Sequence, residues 1–279
     1  MSFDTYPRLA PEARKKMSTA SIEAAQTPRV EVPANLKPKE HGAYAILAIP
    51  IVTAILVTGP TVVGMCVAVA SIAGFLAHEP LLVALGHRGA RAQRTTPAAQ
   101  HRLVVLLTVT MAGGIIAMLV GSTNVRYSLV LCCVLAITSF ALAIAGKHRT
   151  LGGQLWGIIG LSVPCVPILL AGDIPVGLTM EAWGTWLIGF GATTLAVRGV
   201  IASQKRQSRA IHWGVIAGLS IAVAALTWAG FQIPIVTLPM ISMSWYLLYA
   251  PPPAKQLKRV GWTLVGGTFA TACWMAIMV

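Results

Sequence analysis

The sequence predicts an all-α, polytopic membrane protein of nine transmembrane helices, and three observations carry that expectation. Of its 279 residues 56% are hydrophobic and only 10% charged, with a mean hydropathy of +0.74. A soluble domain carries about 25% charged residues, so a single water-soluble core is excluded. Apolar runs long enough to cross a hydrocarbon core recur from His41 onward. The basic residues, finally, fall almost entirely in alternate connections between those runs.

The first forty residues form a unit of their own. They hold five of the eight acidic residues, seven of the 21 Lys and Arg, and five prolines. Such a mixture cannot bury a core, so residues 1–40 are expected to be a flexible cytoplasmic tail with a short helix near Ser18–Gln26. It does not have the pattern of a signal peptide, because no small-residue cleavage site follows the first apolar run and eight more runs come after it.

The transmembrane domain is expected over residues 41–279. Its first span, Gly42–Thr58, is joined by a Gly59-Pro60 turn to the second, Pro60–Ala77. A polar connection with Arg88, Arg91, Arg94 and Arg102 leads to the third, Leu103–Val120, and a short link with Arg126 to the fourth, Tyr127–Ala145. Lys147 and Arg149 precede the fifth, Leu151–Ala171, which carries Pro164 and Pro167 in mid-span. Asp173 and Glu181 are assigned to the loop before the sixth, Trp183–Val197. Arg198, Lys205, Arg206 and Arg209 then separate it from the seventh, Ile211–Gly230. The eighth, Ile233–Ala250, is followed by Lys255, Lys258 and Arg259 and the ninth, Val260–Val279.

Continuous runs of this kind suit helices, whereas membrane strands would show about ten alternating residues each. Basic residues divide 20 to 1 between the two sides. The positive-inside rule then puts the N-terminus in the cytoplasm and the C-terminus outside. The net charge of +13 is thereby a topology signal with affinity for anionic headgroups, and nucleic acid is not an expected partner. All five cysteines lie inside apolar runs without a CxxC spacing, as small buried hydrophobes do.

No Asp, Glu, Lys or Arg lies deep in any predicted span, which argues against an ion-coupled transporter. Two prolines in mid-span remove helix donors, so residues 162–167 should face protein or a cavity rather than lipid. The chemistry-bearing groups gather instead at the cytoplasmic ends. Glu40 and His41 open the first span while His78 and Glu79 close the second, and a tight turn between equal spans brings the four to one depth. They suit a hydrogen-bonded clamp, a divalent metal site or an acid/base pair. If the sixth span continues as a helix, Arg198, Ala202, Lys205 and Arg209 form a stripe fit for a phosphate, or for topology alone. Gln154 suits an interhelical hydrogen bond or a substrate contact.

Two resemblances add to this reading. Pro38-Lys-Glu-His-Gly-Ala-Tyr-Ala45, with Phe75-Leu-Ala-His-Glu-Pro-Leu-Leu82, resembles the YwiC-like family of bacterial membrane proteins. The whole chain is also similar to the UbiA superfamily of intramembrane prenyltransferases, with nine helices and catalytic loops after helices two and six. Lys147-His-Arg-Thr150 followed by Gln154 looks like that superfamily's Lys-Arg-x-Thr…Gln stretch. The resemblance implies a UbiA-like bundle around a site for an isoprenoid diphosphate. The superfamily's Asp-rich Mg²⁺ motifs, however, are replaced here by His78-Glu79-Pro80 and by an acid-free stretch from Arg198 to Lys205.

The resulting expectation is a protein that holds an isoprenoid or other lipid (di)phosphate in a cytoplasm-facing cavity. Arg91, Arg94, Arg198, Lys205 and Gln154 would bind it, without Mg²⁺ held by Asp-rich motifs. If it catalyses transfer, His78 and Glu79 are the candidate acid, base or metal ligands. The rival is a non-catalytic assembly partner, or a carrier of neutral or lipid cargo. The charge bias makes the topology testable. A reporter fused after Val279 should be active only outside the cytoplasm, and cytoplasmic activity would mean a span miscounted.

Overall fold

The computed structural model describes residues 36, 41–147, 150–253 and 256–279; of residues 41, 95 and 257–259 only the backbone is described. The proposed tail helix therefore lies outside the described residues, as does nearly all of the tail. Eleven α-helices and a 3₁₀ turn make up the described chain, which contains no strand. They are α1 (His41–Thr58), α2 (Val62–Ala84), α3 (Ala90–Thr95), α4 (Ala98–Val120), α5 (Thr123–Ile144) and α6 (Leu151–Ser162). After these come α7 (Cys165–Ala171), α8 (Val176–Gln204), α9 (Ala210–Trp228), the 3₁₀ turn Ile233–Thr237, α10 (Leu238–Tyr249) and α11 (Leu257–Met278).

Among the described residues, seven helical segments are long and apolar enough to cross a membrane, α6 and α7 counting together as one. Two further apolar segments, Gly42–Thr58 and Ile233–Tyr249, are shorter. Every predicted span thus has a helical counterpart, but several boundaries differ. The second span does not stop at Ala77: α2 runs on through His78, Glu79 and Pro80 to Ala84. Pro80 deletes one helix donor without ending the helix. The sixth span is not 15 residues but the 29 of α8, and Glu181 lies inside its first turns rather than in a loop. The eighth opens as a 3₁₀ turn, with Pro234 and Pro239 on either side of the change to α10.

The expected break in the fifth span is present, and its neighbours cover it. The helix stops at Ser162 and restarts at Cys165, and Ser162, Val163, Cys165, Val166 and Ile168 are all fully buried. α6 packs on α1, α5 and α8, while α7 packs on α1, α2, α5 and α8. The outermost helices are the least buried, and Val104, Met111, Leu119, Ile211 and Ile221 on α4 and α9 present apolar side chains outward.

Two kinds of contact hold the bundle. The first is close approach. α2 and α4 meet along small residues, and a Cβ at Gly113 would come within 2.8 Å of the Cys66 carbonyl oxygen. Thr110 crosses this seam, its Oγ1 donating to the Ala70 carbonyl at 3.2 Å. The second is a repeated polar bond. Trp156 Nε1 donates to Thr138 Oγ1 at 3.1 Å, Trp183 Nε1 to Ser162 Oγ at 3.1 Å, and Trp245 Nε1 to Ser220 Oγ at 3.0 Å. Each hydroxyl in turn donates to the carbonyl four residues back on its own helix. The hydroxyl is thus satisfied twice, and two helices are joined without a charge. Ends are secured similarly: Arg126 donates to the carbonyls of Gly121 and Leu119, closing the C-terminus of α4.

Interhelical hydrogen bonds in membranes contribute about 0.6 kcal/mol on average and up to about 1.7 kcal/mol. Trp183→Phe should therefore lower detergent-state stability by roughly that amount beyond its packing loss. Combined with Ser162→Ala the cost should be less than additive in thermal denaturation, and full additivity would show that the bond contributes nothing.

Candidate functional site

The polar end of the first hairpin is built by the way α2 stops. The amide of Gly86 donates to the Val83 carbonyl and that of His87 to the Leu82 carbonyl, the two bonds of a Schellman close. That close needs a left-handed residue after the helix, and Gly86 has φ +75°; Gly89 follows with φ +95°. The chain between these two glycines doubles back and returns Arg88 to the last turns of α2. Arg88 Nε donates to Glu79 Oε2 at 3.0 Å, and Nη2 donates to Glu79 Oε1. The Glu79 side chain is 4% exposed, whereas that of Arg88 is 24% exposed. The short helix α3, with Arg91 and Arg94 exposed, is tied on by Gln93 Nε2, which donates to the Ala84 carbonyl at 2.7 Å.

His78 points elsewhere, because adjacent helical residues diverge by about 100°. Its ring stacks on Phe140 of α5 with centroids 6.1 Å apart. The two hairpin ends do meet, through Tyr44 and Phe75 in an edge-on pair with centroids 4.9 Å apart. Glu40 and the His41 side chain lie outside the described residues, so of the four expected clamp residues the structure places His78 and Glu79. Glu79 takes Arg88 as its partner. Among the described residues no group of three or more His, Cys, Asp or Glu side chains is arranged to hold a metal.

The second polar cluster joins α6 to α8. Thr150 caps α6, its Oγ1 accepting from the Gly153 amide at 3.1 Å. One turn into the helix, Gln154 Oε1 accepts from Arg198 Nε at 2.8 Å. Two candidate binding residues 44 positions apart in sequence are thereby in direct contact. The expected stripe continues no further. α8 ends at Gln204, and Arg206 takes the left-handed conformation at φ +55° in a second Schellman close. Lys205 caps the helix and is exposed, Ala202 is buried, and Arg209 has left the helical register. Arg209 Nη1 donates instead to the Leu248 carbonyl at 2.9 Å, and Gln204 Nε2 to the Pro252 carbonyl at 3.3 Å. These two side chains secure the end of α10.

The residue that site selection from sequence missed is Arg88, which was counted there for topology alone. The signal was a basic residue between two glycines, Gly86 and Gly89, a few residues after the His78-Glu79-Pro80 run. The structure also contains an apolar crevice lined by Pro50, Thr53, Cys165, Trp186 and Met275, barely large enough for a water molecule. On α8, Trp186 lies in the half of the helix opposite to Arg198.

Residues 38–169 match the family model described as YwiC-like protein. No curated protein and no solved structure matches the chain. The matched segment runs from the entry to α1 through α7, and so includes Glu79, Arg88 and Gln154 but not Arg198 or Lys205.

Breaking a buried ion pair from one side costs about 3–5 kcal/mol, because the stranded charge stays desolvated. Arg88→Gln should approach that loss. Adding Glu79→Gln to it should restore part of the stability, since a neutral pair can hydrogen-bond. Chemical or thermal denaturation in detergent measures both, and a double variant no better than Arg88→Gln would contradict the pairing.

Proposed function

We propose that this chain, whose residues 38–169 match the YwiC-like family model, binds an isoprenoid or other lipid phosphate or diphosphate at its basic end. In this reading it is a nine-span protein of a bacterial inner membrane with the basic end in the cytoplasm and the C-terminus outside. Its two shorter apolar segments cross with the help of flanking residues.

The observation that carries the reading is the bond between Arg198 and Gln154. A carboxamide oxygen on Nε fixes the plane of the guanidinium, and planar N–H pairs match phosphate oxygens. Lys205 lies exposed at the end of the same helix, and Arg91 and Arg94 are exposed on α3. The helix layout is read as UbiA-like, with a difference in chemistry. The prenyltransferases that the chain resembles hold diphosphate through Mg²⁺ and aspartates. Among the described residues the one acid at this end is Glu79, and Arg88 already engages it. Basic side chains take the place of the metal cage. Should transfer occur, Arg198, Lys205, Arg91 and Arg94 would stabilise the diphosphate leaving group, with His78 or Glu79 as acid or base.

Binding should therefore survive removal of divalent metal. Farnesyl diphosphate is expected to raise the melting temperature of the detergent-solubilised protein in excess EDTA. Arg198→Gln together with Lys205→Gln should abolish most of that shift, and salt should weaken it. Strictly Mg²⁺-dependent binding that ignores the double replacement would overturn the basic-site reading. A stoichiometric protein partner retained without bound lipid would establish the assembly role in its place.

A further inference from the structure

The pairing of Glu79 with Arg88 raises the question of why an arginine is placed where a water-exposed basic end hardly needs one. Its two halves differ in access. The Glu79 side chain is sealed within the last turns of α2 at 4% exposure, while that of Arg88, at 24%, remains open to an incoming group. Arg88 stands on a connection with left-handed glycines at 86 and 89, not inside a packed helix. Arg91 and Arg94 follow on α3 and add positive field to the same approach. A carboxylate and a phosphate present equivalent oxygen pairs to a guanidinium, but a phosphate monoester carries about −1.5 to −2 charges against the carboxylate's one.

From this we infer that Arg88 is a phosphate-binding side chain held in reserve by an internal anion. An arriving phosphate or diphosphate takes the guanidinium from Glu79. In the empty protein Glu79 holds the arginine in place, and the arginine keeps the buried carboxylate from being an unmatched charge. In the loaded protein the phosphate, supported by the field of Arg91 and Arg94, replaces it, and Glu79 loses its partner. The inference rests on the lipid-phosphate reading above and gives that site a further ligand-binding residue, outside the α6–α8 cluster.

The exchange has a signature in the unaltered protein. A buried carboxyl without a counter-ion reacts with the apolar reagent dicyclohexylcarbodiimide, whereas one engaged by arginine is protected. Glu79 labelling would be read by peptide mass spectrometry in detergent and EDTA, with farnesyl diphosphate, with inorganic pyrophosphate and with neither. Labelling should rise several-fold with farnesyl diphosphate. An equal rise with pyrophosphate would support exchange with the headgroup chemistry alone, and a rise with farnesyl diphosphate only would support exchange with a lipid-linked group. Glu79→Gln should in parallel tighten binding by about tenfold, because the competing internal anion is gone. Should that variant fail to fold, the labelling of the native chain decides by itself. Saturable stabilisation with unchanged Glu79 labelling, or with no gain in affinity for Glu79→Gln, overturns the exchange and leaves the lipid-phosphate reading standing. Absence of stabilisation by both probes overturns the two together.

Discussion

A helix interrupted inside a membrane must have its loosened backbone covered by protein, and that requirement organises this bundle. Pro164 and Pro167 supply no N–H, so the turn between α6 and α7 cannot be exposed to lipid, where no donor would replace them. The chain meets the requirement by placing this span at the centre and surrounding it with α1, α2, α5 and α8. Ser162, at the break, is satisfied by its own helix and by Trp183 of α8. Peripheral helices have no such obligation, which is why α4 and α9 present so much apolar surface. The same central span begins with Thr150 and Gln154, so the element buried for backbone reasons also holds the polar group that orients Arg198.

Positive charge at one end is a blunt indicator of binding capacity. Arg209 is committed to the end of α10, and Arg88 is engaged by Glu79 in the empty protein. Helix C-termini attract cations because their last carbonyls lack intrahelical donors. A membrane bundle whose loops are short has several such ends close to its basic residues. Counting arginines therefore overstates what is available to a ligand, and the contact each one makes is more informative than its sign.

Much of this architecture was legible in the sequence, for physical reasons that also explain the misreadings. Apolar runs and mid-span prolines report directly on the cost of exposing polar backbone to lipid, so the helical segments and the buried break could be located from residue type alone. The sixth span read short because Glu181 and Arg198 look like boundaries, although a long α8 can carry both near its ends. The basic stripe failed at Arg206, where a left-handed residue that is not glycine ended the helix without an obvious sequence marker. Contact between Gln154 and Arg198 could be suspected from their ends of the spans but not demonstrated, since it depends on which helices are neighbours. Arg88 was overlooked because pairing across nine residues depends on the loop's reversal rather than on helical spacing.

The packing of α11 against α1 gives the bundle a temporal dimension. α1 is flanked by α2, α6, α7 and α11, and the last of these is made after all the others. Chains emerge at about 5–20 residues per second, so the roughly 200 residues between α1 and α11 correspond to about 10–40 s of synthesis. Throughout that interval one flank of α1, carrying Pro50 and Thr53, lacks its final protein neighbour. The α2–α4 seam, by contrast, can close as soon as its local hairpin is made. The first helix of the domain is thus among the last to be enclosed.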